Sequence, residues 1–157
     1  MNITVSYTPA QAGDMNSFRS LILEYLETLS LDLDFQDIQH ELSSLPGKYA
    51  EPEGSIVLAK AGSVTCGCVA LRRIDKGCCE MKRLFVKPEY RSLGIGKRLV
   101  ELIIADGIQK KYRCMRLDTL VSMKSAVELY TSYGFYPIEP YIFNPLPGAL
   151  FFEKRLS

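Results

Sequence analysis

The sequence predicts an α/β (α+β) fold with a mixed, mostly antiparallel central sheet and helices on both faces. Three observations carry that expectation. Between Ser55 and Val86 three strand-like runs follow one another across short turns, at Gly94 the apolar spacing changes from two residues to three and four, and a strand–helix–strand order comes next. With 157 residues, 47% hydrophobic and 24% charged, the chain fits a single domain over 1–157. It is long enough to bury one core and too short for two of similar weight.

Ile3 to Tyr7 alternate as a short strand that Pro9 ends. Phe18, Leu21, Ile22, Tyr25, Leu26 and Leu29 then form one stripe on a helix from about Ala10 to Leu29, and a second helix is expected from Asp34 to Leu45, stopped by Pro46 and Gly47. Ser55 to Lys60 and Val64 to Ile74 read as a hairpin, and Cys78 to Val86 adds a third adjacent antiparallel strand that stops before Pro88. From Gly94, the residues Leu99, Val100, Ile103, Ile104 and Ile108 fall on one helical face. Arg113 to Val121 is the next strand, and a short helix through Ala126 and Tyr130 is closed by Gly134. Phe135 to Ile138 and Ala149 to Arg155 supply the last strands.

Composition restricts the partners and the compartment. No basic, apolar leader opens the chain and no run approaches the ~18 apolar residues of a membrane span, so a cytoplasmic protein without a membrane partner is expected. The cysteines at 66, 68, 78, 79 and 114 are odd in number and lie in apolar runs. They read as reduced, buried thiols rather than as a disulfide framework, and their spacing does not suit zinc, so no metal is expected. Net charge is +1, which offers nothing to nucleic acid, but it is unevenly spread: Asp14 to Glu53 holds nine acids and two bases, Arg72 to Arg113 twelve bases and five acids. The first region, with Asp32, Asp34, Asp37 and Glu41, suits a cationic amine; the second suits a polyanion.

The turn Arg91, Ser92, Leu93, Gly94, Ile95, Gly96 joins a strand to a helix. A helix N-terminus carries unpaired N–H groups and partial positive charge, and two glycines let a phosphate approach them, with Arg91, Lys97 and Arg98 at the rim. The dinucleotide fingerprint fails because Leu99 stands where the third glycine belongs, and a P-loop fails because Arg98 follows Lys97.

The segment EMKRLFVKPEYRSLGIG, Glu80 to Gly96, resembles the central motif of the GNAT superfamily of N-acetyltransferases, and the likeness continues through Leu117 to Leu120 and Ala126 to Phe135. The resemblance implies that acetyl-CoA is the co-substrate, with its diphosphate on the N–H groups from Arg91 to Gly96 and its pantetheine arm along the strand edge at Leu84, Phe85 and Val86. It places Tyr130 beside the sulfur as proton donor, and some relatives place their general base where Glu80 stands. Where the family often has an asparagine this chain has Met123, so that cofactor contact is lost or passes to Ser122 or Ser125.

An amine must be neutral to attack a thioester, and at pH 7 an alkylamine is protonated, so a base such as Glu80 with a raised pKa is expected. The plain alternative makes Glu80 an ion-pair partner of Lys82 or Arg116, and Tyr130 a packing aromatic. A cysteine nucleophile has no histidine to pair with, since His40, the one histidine, lies in the second helix. Direct attack by a small-molecule or peptide amine in a ternary complex is the expected reaction. A catalytically inactive acyl-CoA sensor and a nucleotide-binding regulator are the other classes, and a homodimer stays open.

Overall fold

The computed structural model describes residues 3–29 and 37–157. Seven strands form one sheet in the order β1-β2-β3-β4-β5-β7-β6: β1 Val5–Pro9, β2 Ser55–Ala61, β3 Val64–Arg73, β4 Cys78–Val86, β5 Cys114–Leu120, β6 Tyr136–Pro137 and β7 Ala149–Arg155. Every pairing is antiparallel except β4 with β5. The helices are α1 Met15–Leu29, α2 Ile38–Ser43, α3 Ile95–Gln109 and α4 Lys124–Ser132. No helix among the described residues is long and apolar enough to cross a membrane.

Period-two alternation splits the strands between two cores. On one face Val69, Leu71 and Met115 pack with Leu99, Val100 and Ile103 of α3; on the other Leu58, Cys68 and Ala70 pack with Phe18, Leu21 and Ile22 of α1. Helices therefore cover both faces, as the sequence predicts.

Several boundaries differ from expectation for local reasons. α1 begins at Met15, because Ala12–Asp14 is a 3-10 turn in which the Asp14 carboxylate accepts the Gln11 N–H at 2.8 Å and Lys60 Nζ at 3.0 Å. α2 stops at Ser43: the Ser44 hydroxyl donates to the His40 carbonyl at 2.7 Å, and Pro46 disfavours helix at Leu45. The start of that helix at Asp34, and the acids Asp32 and Asp34, lie outside the described residues. β6 is only two residues long, although the next N–H, that of Ile138, still donates to the Phe151 carbonyl of β7 at 2.9 Å. Gly134 does close α4, at φ +91, with its N–H on the Thr131 carbonyl at 3.0 Å.

Two cysteines depart from the reduced state expected of them. The parallel register sets Cys78 opposite Cys114, 4.8 Å apart at Cα, and the two are bonded as a disulfide. Cys66, Cys68 and Cys79 are free and buried.

β4 carries an irregularity that shapes the site. Phe85 faces Cys68 and Lys82 faces Ala70, so Arg83 and Leu84 both stand opposite Val69, and Arg83 has φ +61. Its guanidinium is buried and makes two bonds to Glu41 of α2, at 2.8 and 2.9 Å. Burial pushes the Glu41 carboxyl upward, but Arg83 and Lys48 outweigh it and bring its pKa down to about 2, from an ordinary 4.5. A depressed acid stabilises the fold fully above its unfolded pKa and loses that contribution as pH falls through the folded one. Stability should therefore hold above about pH 5 and fall between 4.5 and about 2. Urea titrations across that window should find Glu41→Gln about 3 kcal/mol less stable at neutral pH, with the gap to wild type closing in acid.

Candidate active site

β4 and β5 are paired only where they begin, from Cys78 opposite Cys114 to Glu80 opposite Arg116. Beyond that point β5 stays with β7 along its whole length, while β4 stays with β3. The strands part, and the β4 edge from Met81 to Val86 faces the gap with no strand partner among the described residues. The Val86 carbonyl accepts a hydrogen bond from Arg91 Nε and the Arg83 carbonyl one from Cys68 Sγ; the remaining N–H and C=O groups on that side are available to an extended ligand with amide groups.

Two connected cavities occupy the gap, sharing Tyr25, Leu84, Met123 and Ala126 as walls. The first is a groove that follows Leu84, Phe85 and Val86 to the turn before α3, where Arg91, Ser92, Gly94, Ile95, Gly96 and Lys97 line it, with Ser125 on the α4 side. The second is a deeper cleft lined by Lys82, Asp118, Tyr130 and Asn144.

The turn has the geometry that an anion needs. Gly94 is left-handed at φ +78 with open space where a Cβ would stand, and buried Ile95 and Leu99 fix the helix behind it. No side chain caps α3 and its first turn holds no acid. The first N–H with an intrahelical partner is that of Arg98, which donates to the Gly94 carbonyl at 3.0 Å, so those of Ile95, Gly96 and Lys97 are left for a ligand. Arg91 is held at the groove wall by its Nε bond to the Val86 carbonyl, 3.1 Å, with its guanidinium 5.9 Å from the Phe85 ring centre. Leu93 is exposed and Arg98 pairs with Glu101 at 3.5 Å; neither lines the groove.

Tyr130 is buried, packed edge-on to Phe135 at 5.9 Å. Its hydroxyl has no hydrogen-bond partner among the described residues, yet it is not a sealed atom, so it opens on the cleft. Burial first, then the charges of Tyr25 and Asp118, push its pKa up and keep it protonated.

Met123 stands at the junction of the two cavities. Its sulfur accepts weak contacts from the hydroxyls of Thr119 at 3.7 Å and Tyr25 at 3.9 Å. A thioether therefore replaces the expected amide. Of the two serines that could stand in, Ser125 lines the groove and Ser122 does not.

Glu80 is placed apart from the cleft. It is fully buried, with Arg72 Nε on one oxygen at 2.7 Å and the Tyr141 hydroxyl on the other at 2.6 Å. The sequence leads one to expect a raised pKa here. Burial does push it up, but Lys82, Arg72 and the Tyr141 hydrogen bond prevail and hold it below the usual carboxylate range. Arg116, the other partner considered, is bonded to Glu153 at 2.8 Å. Of the acids expected to draw an amine, Glu41 is engaged by Arg83 and Lys48, and His40 is exposed.

Lys82 and Asp118 are cleft residues that sequence reasoning missed. The available signal was period two: Glu80 stands opposite Arg116, so the residues two further on in each strand share that face and flank the point where the strands part.

Comparison with known proteins gives the family and the fold. Residues 15–135 match the acetyltransferase (GNAT) family, and an uncharacterized N-acetyltransferase of Schizosaccharomyces pombe is 41% identical over 146 residues, covering 92% of this chain and 90% of that protein. The chain belongs to the GNAT family of acetyltransferases and is an acyltransferase. Its fold is that of a GNAT-family acetyltransferase from Staphylococcus aureus, with TM-score 0.82 at 23% identity over 98% of this chain and 100% of the other. A GNAT-family acetyltransferase from Elizabethkingia anophelis with acetyl-CoA bound has TM-score 0.69 at 22% identity, covering 96% of this chain and 97% of that one.

Proposed function

We propose that this protein transfers an acetyl group from acetyl-CoA, as co-substrate, to a primary amine by direct attack in a ternary complex. The observation that carries the reading is the continuity of the open N-terminus of α3, the unpaired β4 edge and the Tyr130 hydroxyl along two cavities with common walls. The residues fit the group: three free N–H groups and Arg91 for a diphosphate, a strand edge for the pantetheine amides, and a protonated phenol at the far end. Solved relatives with acetyl-CoA or coenzyme A bound support the same choice.

Acetyl-CoA supplies an activated thioester; the chain supplies position and protons. The β4 edge orients the thioester, the cleft brings the amine to it, and Tyr130 donates its O–H to the departing sulfur. An ammonium first releases one proton to solvent and attacks as the neutral amine; as the N–C bond forms and the C–S bond breaks, the nitrogen loses its second proton to the Tyr130 oxygen, replacing the one given to the sulfur. Asp118 lines the cleft with only one oxygen engaged, by Asn144 Nδ2 at 2.9 Å, and can accept a hydrogen bond from the amine.

Glu80 acts in this reading as a positioning residue that holds Arg72 and Tyr141. A carboxylate with both oxygens taken and a depressed pKa is a poor acceptor for an ammonium proton. Glu80→Gln should cost about 3 kcal/mol in urea unfolding while changing kcat less than about threefold; a general base would cost about 100-fold or more. The activity itself is tested by thiol release from acetyl-CoA with amines, amino acids and peptides, with acetylated product identified by mass. An absence of CoA affinity would defeat the reading.

A further inference from the structure

The α1-side face of the gap sets a cation beside the acid Asp118, and the acetyl-transfer reading leaves that cation, Lys82, without a role. Lys82 faces Ala70 across the β3–β4 pair, which puts it on the side packed against α1. Asp118 is two residues beyond Arg116, the partner of Glu80, and so lies on the same side. Both line the cleft that holds Tyr130.

Neither charge is satisfied in the way its neighbours are. Arg72 has Glu80, Arg83 has Glu41, Lys87 has Glu24 and Arg116 has Glu153. Lys82 makes no hydrogen bond or ion pair among the described residues, although it is partly buried. The oxygens of nearby Glu80 are already taken by Arg72 and Tyr141. Asp118 has one oxygen on Asn144 and none of its atoms in an ion pair among the described residues. Lys82 feels the charges of Glu80 and Asp118 without bonding to either, and a partly desolvated ammonium that lacks a hydrogen-bonded anion leaves its N–H groups open to one from a ligand in the cleft. Burial pushes the Lys82 pKa down and outweighs the opposing pull of Glu80 and Asp118, in keeping with a cation that its present surroundings do not fully satisfy.

We propose that the acceptor is a free amino acid, its carboxylate held by Lys82 and its amino group by Asp118, facing the thioester beside Tyr130. The two side chains come from strands that diverge, so they offer a cation and an anion across a gap, which matches a zwitterion and mismatches a polyamine. A polyamine would set a second positive charge against Lys82. A peptide amino terminus or a lysine side chain within a peptide would bring no carboxylate there. This inference rests on the acetyltransferase reading and specifies its acceptor.

The test measures thiol release by the full chain with acetyl-CoA and matched trios: each amino acid, its carboxamide and its decarboxylated amine. Polyamines and amino-terminal peptides are run beside them. Calorimetry of the same compounds onto the CoA-loaded protein gives a readout that needs no turnover. Amino acids should be preferred over their carboxamides and amines by at least about tenfold in kcat/KM, equivalent to about 1.4 kcal/mol. Lys82→Met should raise KM for the amino acid about tenfold or more, remove the preference over the carboxamide and leave CoA affinity unchanged, while Lys82→Arg restores part of the preference. Polyamines or peptides turned over in preference to amino acids would overturn the inference and leave the acetyltransferase reading standing. So would amino acids failing to bind the CoA complex, or an unaltered preference in Lys82→Met. Loss of CoA binding in the wild type would instead strike the acetyltransferase reading itself.

Discussion

Tyr130→Phe should lower kcat about 100-fold while the dissociation constant for CoA stays within about twofold. The phenylalanine keeps the ring that packs on Phe135 and the buried area with it, so the fold is retained and the hydroxyl alone is lost. That hydroxyl has no hydrogen-bond partner among the described residues, so its removal strands no buried group. A tyrosine kept only for packing would lose little activity when its oxygen goes. Proton donation acts on the departing sulfur and not on cofactor binding, so the loss falls on kcat rather than on KM for acetyl-CoA. Steady-state thiol release and calorimetry on the same preparation separate the two.

Gly96→Glu should raise the dissociation constant for CoA about 100-fold, about 2.7 kcal/mol, and abolish turnover at ordinary acetyl-CoA concentrations. A Cβ at this position would meet Val86 Cγ2 at 3.8 Å and Leu129 Cδ2 at 4.0 Å, both ordinary contacts, so the helix accepts a side chain there. What it does not accept is negative charge beside a bound diphosphate at the positive end of a helix dipole. Gly96→Ala separates the two causes, because it adds the carbon without the charge and should bind CoA within about fivefold of wild type. A thermal unfolding curve near that of wild type for both variants would locate the effect in the ligand.

The strand–turn–helix around Gly94 was legible from the sequence because every signal there is local. The alternation from Cys78 to Val86, the two glycines and the apolar stripe through Leu99 and Ile103 depend on neighbours within a few residues, and the structure reproduces β4 over the expected residues. Glu80 was not legible in the same way. Its environment is set by Lys82 beside it, by Arg72 across a hairpin and by Tyr141, 61 residues away, and the balance of these against burial decides whether a buried carboxyl is lifted or depressed. The Cys78–Cys114 bond was hidden for a related reason: the parallel pairing that aligns two cysteines 36 residues apart leaves no mark in their spacing. Lys82 and Asp118 lay in plain view two residues from Glu80 and Arg116, but their importance depends on where β4 and β5 separate. That is a property of the bulge at Arg83 and of the β5–β7 ladder, not of either strand alone.

The most direct test of the central claim is a calorimetric comparison of CoA with pantetheine on the wild-type protein. The account predicts measurable CoA binding and at least about 100-fold weaker binding of pantetheine, which keeps the amide arm and thiol but lacks the diphosphate. Equal affinity for the two, or no affinity for CoA, would contradict it.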